Sequence, residues 1–232
     1  MWLAWREKLL DLLFPKYCLI CRGGDKYLCP SCFDQISYLP TDQCVWCNSL
    51  TATDGRCENC VRSTALDGVF SACHYTDTIM ETLIHEFKFN FIEALASDLT
   101  DAFMNRLSAE WRFKIINSVV MPIPLHPRRL AERGFNQSEI LAKEVVRRLG
   151  ANCNVDSLVR SVYTDQQAKL TRAEREKNVS EAFKIVKVDQ VINKDIVLVD
   201  DVITTGATMN AAATALKAAG ARKVFAISLA HE

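Results

Sequence analysis

The chain has 232 residues, a formal net charge of zero, 49% hydrophobic residues and 24% charged ones. That composition excludes a disordered or fibrous chain and leaves room for one ordinary domain plus a small one. A neutral balance gives no global attraction to nucleic acid, so any such binding needs a local basic patch.

The chain opens with "MWLAWREKLLDLLF", in which Arg6, Glu7, Lys8 and Asp11 interrupt the apolar residues. A secretory signal has basic residues first, then an unbroken apolar core and a small-residue cleavage site, and this stretch lacks that order. The pattern predicts a short amphipathic helix, packed on the protein or a partner or else lying on a membrane surface. No apolar run reaches the length of a transmembrane segment. The expected location is the cytoplasm, either free or held at the inner face of the membrane through a partner.

Ten cysteines without export point to metal, because cytosolic thiols are kept reduced. Eight of them form four pairs: Cys18-x-x-Cys21, Cys29-x-x-Cys32, Cys44-x-x-Cys47 and Cys57-x-x-Cys60. Two such turns complete a four-sulfur shell of the kind zinc favours, so the four pairs make two tetrahedral sets, with iron–sulfur as the alternative. Sequential pairing (Cys18, Cys21, Cys29 and Cys32 on one ion, the other four on a second) is simplest, and an interleaved pairing stays open. Such a segment is a structural clip, or a grip on single-stranded nucleic acid or a protein through Tyr17, Arg22, Lys26, Tyr27 and Trp46. Large apolar residues are few here, so metal supplies much of the folding energy, and chelation is expected to unfold mainly residues before about 62. The cysteine pairs stop near Arg62, which predicts a cysteine-rich domain over 1–62 and a second domain over 63–232.

The second domain reads as α/β. Gly68–Tyr75 alternates as a strand does, and Cys73 within it reads as a small buried residue, as does Cys153. "DTIMETLIHEFKF" sets Ile79, Met80, Leu83, Ile84 and Phe87 on one helical face, with Asp77 as N-cap. Lys88 on that helix could reach a phosphate, or else is solvated as a single lysine on an amphipathic helix commonly is. A second helix is predicted over Glu93–Trp111, a buried strand over Ser118–Pro124, and a helix over Asn136–Leu149 closed by Gly150. Ile196–Val199 is a further buried strand, Thr208–Ala219 a helix stopped by Gly220, and Lys223–Ala230 a final strand. Apolar strands separated by helices indicate a parallel sheet covered on both faces.

"IVLVDDVITTGAT" (Ile196–Thr208) carries the chemistry. Its strand ends at the carboxyl edge of the sheet, where α/β folds bind ligands. The loop Thr204–Thr208 runs into a helix N-terminus whose backbone N–H groups, with threonine hydroxyls, suit a phosphate, and Gly206 lets the backbone come close. Asp200 and Asp201, when ionised, only accept hydrogen bonds, so their partners are a vicinal diol or a hydrated cation. Phosphate beside a diol describes a ribose 5-phosphate. The eight glycines build neither G-x-x-x-x-G-K-[ST] nor G-x-G-x-x-G, which excludes those nucleotide loops.

"VLVDDVITTGAT" resembles the phosphoribosyl pyrophosphate (PRPP) motif of type I phosphoribosyltransferases. The resemblance implies that Asp200 and Asp201 hold the ribose hydroxyls, that Thr204, Thr205, Gly206, Ala207 and Thr208 wrap the 5-phosphate, and that magnesium bridges pyrophosphate and ribose oxygens. "PIPLHPRRLAERGFNQSEILA" (122–142), "QQAKLTRAEREKNVSEAF" (166–183), "LIHEFKF" (83–89) and the cysteine-rich segment resemble signatures of the ComF family of phosphoribosyltransferase-like competence proteins. That family has a type I phosphoribosyltransferase fold, an N-terminal double zinc ribbon and a link to natural transformation, where imported single-stranded DNA is handled. One departure is that Tyr75 is followed by Thr76 and Asp77 where the family usually has a glycine soon after.

In this frame Arg128, Arg129 and Arg133 lie at the sheet edge as pyrophosphate contacts, on a basic loop. The stretch Lys169–Lys177 is a flap over the site, with Lys169 and Arg172 as phosphate contacts, or else a solvated helix face. The functions implied are PRPP binding tied to single-stranded DNA and a helicase-like partner, transfer of phosphoribose to an unidentified acceptor, and non-catalytic PRPP sensing.

Overall fold

The computed structural model describes residues 16–49, 54–89, 94–162 and 182–232. The expected amphipathic helix at the N-terminus and the flap residues Lys169 and Arg172 lie outside them.

Strand β1 (Gly68–His74) leads to α1 (Thr78–Phe89) through Asp77, whose carboxylate accepts the Ile79 N–H at 2.8 Å. The same carboxylate accepts the Ser37 N–H at 2.7 Å, so Asp77, in the stretch where a glycine was expected, ties the cysteine-rich segment to the cap. The single helix predicted over Glu93–Trp111 is two, α2 (Leu95–Arg106) and α3 (Ala109–Ile116). Leu107 is extended, and Ser108 starts the new helix by accepting the Trp111 N–H, so a local cap outweighs the continuous apolar pattern.

Strand β2 (Val119–Pro122) is followed by α4 (Pro127–Arg133), α5 (Gln137–Leu149) and the short β3 (Asn152–Cys153). The expected basic loop is therefore largely helix. Pro127 at its first turn and Gly134 in the left-handed region after it account for both ends. Cys153, expected buried, is exposed on β3, whereas Cys73 is fully buried. Strands β4 (Leu158–Arg160) and β5 (Phe183–Ile185) form a separate antiparallel pair that the sequence reading did not anticipate. Strand β6 (Asp195–Ile203) runs through the acid pair rather than stopping before it, and α6 (Ala207–Ala218) and β7 (Lys223–His231) complete the chain.

The five strands lie in the order β1-β7-β6-β2-β3, all parallel. Alternation sorts the core by face. Phe70, Val197, Val199, Phe225 and Ile227 pack towards α1, α2, α3 and α5; Val69, Ile196, Leu198, Val224 and Ala226 pack towards α6. Both faces are covered, as the near-continuous apolar strands require.

The cysteine-rich segment closes the β1 edge. Tyr38 bridges Cys73 antiparallel, the Leu39 N–H donates to the Ala72 carbonyl at 2.9 Å, and the His74 N–H donates to that of Ser37 at 3.2 Å. Its first lobe places Cys18, Leu28, Cys32 and Ile36 in the core shared with α1 and α2. Its second lobe sets Val45 and Trp46 against the core around α6. The segment therefore straddles the sheet edge, one lobe on each face.

Candidate functional site

Asp200 and Asp201 stand near the carboxyl end of β6. Asp201 is only 3% exposed. Its Oδ2 lies 2.7 Å from Lys88 Nζ, an ion pair without the alignment of a hydrogen bond. Lys88, read from sequence as either a phosphate contact or a solvated residue, pairs with an acid of the site. Asp200 accepts the Ser138 hydroxyl at 2.6 Å and the Asp201 N–H at 2.9 Å. Burial and the neighbouring Asp201 push the Asp200 carboxyl up to about 7, against the pull of Ser138 and Lys88.

Asn136 brings Ser138 into place. Its side chain caps α5 by accepting the Ser138 N–H at 3.1 Å and donates to the Ile123 carbonyl at 3.0 Å, which anchors the helix start to the end of β2. Arg133 donates to Gln137 Oε1 at 2.6 Å and lies over the Phe89 ring. Burial pulls the Arg133 guanidinium down, Arg129 nearby adds to that, and both acids oppose it. Arg160 on β4 is likewise pulled down by burial and by Arg129, with Asp200 opposing. Arg133, Arg160 and Lys88 therefore share one electrostatic neighbourhood with the acids, and Arg129 lies near the two arginines. Arg128 is exposed and pairs with Glu132 at 3.1 Å along α4.

The turn Thr204–Gly206 follows the acids. Gly206 starts α6 at φ 72° and contributes no capping side chain, while Thr204, Thr205 and Ala207 are exposed. Apart from the Ala207 N–H, which reaches Thr205 Oγ1 at 3.4 Å, the helix start has no side-chain cap, and Gly206 itself is buried. Such a helix start favours an anion.

The cysteines gather as two sets, Cys18, Cys21, Cys29, Cys32 and Cys44, Cys47, Cys57, Cys60, each with sulfurs within 4.8 Å of one another. The sequential pairing is the one found. The lobes repeat the same turn: the Arg22 and Asn48 N–H groups close on the Cys18 and Cys44 carbonyls at 2.8 and 2.9 Å, and both residues have positive φ. Cys29 and Cys57 then each start a one-turn helix, Pro30–Phe33 and Glu58–Val61. Sulfur separations of 3.7 Å (Cys21–Cys29) and 3.6 Å (Cys47–Cys57) match the roughly 3.8 Å edge of a tetrahedron with zinc–sulfur bonds of about 2.3 Å. Ser31 first, then Cys32, draw the Cys29 thiol down to about 6, while burial and its sister thiols push Cys32 up. Four thiolates this close cannot all ionise without a cation, and a divalent metal resolves that conflict.

Ser138 and Arg160 were not assigned to the site from sequence, and Lys88 was weighed as a phosphate contact rather than as the partner of Asp201. Lys88 lies within the "LIHEFKF" signature and Ser138 within the 122–142 signature, so both carried a signal; Arg160 carried none.

Comparison with known proteins places these features. The phosphoribosyl transferase domain matches residues 136–231, and the double zinc ribbon domain matches residues 9–66. The chain is 29% identical over 225 residues to competence protein F of Haemophilus influenzae, spanning 92% of this chain and 96% of that protein. It is 30% identical over 203 residues to competence protein ComFC of Bacillus subtilis, spanning 83% and 78%. It is 28% identical over 219 residues to DNA utilization protein YhgH of Escherichia coli, spanning 89% and 86%. The fold is thus that of a phosphoribosyltransferase domain, joined to a double zinc ribbon.

Proposed function

The chain belongs to the competence protein F family, and from that premise we propose that it binds PRPP with magnesium and serves the handling of imported single-stranded DNA in transformation or DNA use. One observation carries the binding half: the buried Asp201, the half-buried Asp200 and an uncapped helix start lie side by side at the carboxyl edge of the sheet, with Lys88 paired to Asp201 and with Arg133 and Arg160 in electrostatic reach of the acids. In this reading Asp200 and Asp201 accept the ribose hydroxyls, and the Thr204–Thr208 segment holds the 5-phosphate. Arg128, Arg129 and Arg133 neutralise the pyrophosphate. Ser138 orients Asp200, and Lys88 pairs with Asp201 until ligand arrives. The acids fit a hydrated cation, and magnesium when bound supplies charge neutralisation across the pyrophosphate and ribose oxygens. The two cysteine sets hold structural zinc. The division between ribbon and transferase domain falls after Arg62, and the cytoplasm is the place of work.

The DNA half rests on the relatives called competence and DNA utilization proteins. An exposed pair supports it: Arg22 lies 5.1 Å over the ring of Tyr17, which is 43% exposed. An aromatic ring beside a cation is the basic unit of single-strand binding. A helicase-like protein would deliver the strand. Among the described residues no helix is long and apolar enough to cross a membrane.

Calorimetric titration of PRPP and magnesium into the protein tests the binding. Saturable binding that is lost in Asp200→Asn/Asp201→Asn is expected, and no binding by the wild type refutes the reading. Free pyrophosphate measured in the same cell separates turnover from binding. In a transfer, the bond from ribose C1 to pyrophosphate oxygen breaks as C1 bonds the acceptor, so release on adding an acceptor identifies an active transferase. Single-stranded DNA affinity should fall with salt, with a log–log slope of about 0.7 per phosphate contacted; a flat response removes the DNA half.

A further inference from the structure

Trp46 lies between two ligand cysteines and packs against the core around α6. It sits in the Cys44–Cys47 turn and lies against Gly206, the residue that starts α6. A Cβ on Gly206 would come within 2.7 Å of Trp46 Cη2 and 2.9 Å of Cζ3. Gly206 is therefore required twice, by its φ of 72° and by the indole that covers it. The indole also meets His231 at the end of β7, ring centroids 6.3 Å apart.

A second contact reaches the same helical turn from the other end of the lobe. Beyond Cys60, the Thr64 hydroxyl and the Ala65 N–H both donate to Asn210 Oδ1, at 3.0 and 2.7 Å. Asn210 in turn donates its N–H to the Gly206 carbonyl at 2.9 Å. Trp46 and Thr64–Ala65 thus hold the first turn of α6 at its start and at its closing hydrogen bond.

The lobe has a fixed base from which to do this. Val45 donates to the Gly55 carbonyl at 2.9 Å and Val69 of β1 to that of Asp54 at 2.9 Å. A Cβ on Gly55 would lie 2.1 Å from the Val69 carbonyl oxygen, so the lobe touches the sheet edge backbone to backbone. The first lobe, packed with α1 and α2 on the opposite face, makes no such contact with α6 among the described residues.

We propose that the second cysteine lobe is a working part of the phosphate site, with Trp46 as a positioning residue that holds the Thr204–Gly206 turn and the first turn of α6 in the form that receives an anion. This rests on the reading of that turn as the 5-phosphate site. Metal at Cys44, Cys47, Cys57 and Cys60 fixes both ends of the Val45–Trp46 dipeptide, and through it the turn. Coupling of this kind is reciprocal, so a ligand on the turn also raises the affinity for the second metal.

Hydrogen exchange on the full-length zinc-loaded chain, without ligand, reads the coupling directly. In Trp46→Ala the amides of 204–210 should exchange about tenfold faster or more, while those of the first lobe keep their wild-type rates. Trp46→Phe, which keeps an aromatic face over Gly206, should restore most of the protection. Cys47→Ser, which opens the second metal site without touching Trp46, should reproduce the faster exchange. Wild-type rates over 204–210 in Trp46→Ala overturn the proposal, as does an equal acceleration throughout the chain. Titration with PRPP and magnesium then separates the two readings. Faster exchange with about tenfold weaker binding in Trp46→Ala supports both. Faster exchange in a chain that never binds PRPP keeps the coupling and removes the phosphate assignment. Tight binding by wild type and Trp46→Ala alike, with unchanged exchange, keeps the site and removes the coupling.

Discussion

Asp200 is held between opposite demands. Burial and Asp201 favour its protonated form, while Ser138 and the Asp201 N–H offer hydrogen bonds that favour the carboxylate. Because its pKa in the fold, about 7, lies above the ordinary carboxylate value of about 3.9, the folded state holds this proton more tightly. Its contribution to stability is complete below the ordinary value and is lost as pH rises to about 7. Ligand binding runs the other way, since a diol or a cation needs the charged form. PRPP–magnesium affinity is therefore expected to climb with pH and level off above about 7, and Asp200→Asn should flatten that part of the profile. Calorimetry at a series of pH values checks this; a wild-type affinity that does not vary between pH 6 and 8 contradicts it. The acids themselves were legible because they are adjacent in a contiguous motif. Their partners were not: Lys88 arrives on α1 and Arg160 on β4, and neither helical spacing nor local charge says which distant carboxylate a cation will meet.

At the scale of elements, the sequence disclosed those whose signals are local. The apolar runs of four of the five sheet strands, the Asp77 cap and the Gly150 stop are examples, although β6 proved longer than its apolar run and β3 was missed. Where a short polar signal competes with a periodic apolar one, the pattern misleads. Ser108 splits the helix predicted across it, and α4 forms in a stretch that reads as a basic loop. Asn136 shows how one such signal serves both fold and site. It caps α5, ties that helix to the end of β2 and so sets Ser138 against Asp200. Asn136→Ala should cost about 1–2 kcal/mol in urea unfolding, and it should also weaken PRPP binding, because Ser138 loses its fixed position. Asn136→Asp keeps the cap but not the donor to Ile123, so it should recover stability more than affinity. Equal recovery of both would show that the tie to β2 does not matter to the site.

For the whole molecule, the cysteine spacing alone suggests an appendage that unfolds by itself when its metal is removed. The packing argues otherwise. Ser37 and Leu39 pair with the outer edge of β1, and Leu28 and Ile36 are buried in the same core as Phe70, Phe87 and Leu99. An edge strand left open and a core stripped of two large apolar side chains weaken the sheet itself. At about 1.5–3 kcal/mol for each such side chain, loss of both lobes should cost the transferase domain about 3 kcal/mol or more. Stripping zinc with a strong chelator is therefore expected to move the far-UV circular dichroism transition in urea, which is dominated by the α/β domain, to a clearly lower midpoint. An unchanged midpoint after complete metal loss would mean that the ribbon is only attached to the sheet. A lowered midpoint would mean that the metals are part of the fold that carries the acids. The chain could then not keep a working PRPP site while exchanging its ribbon for an unrelated domain, because β1, whose edge the ribbon closes, pairs along its length with β7, and β7 with the acid-bearing β6.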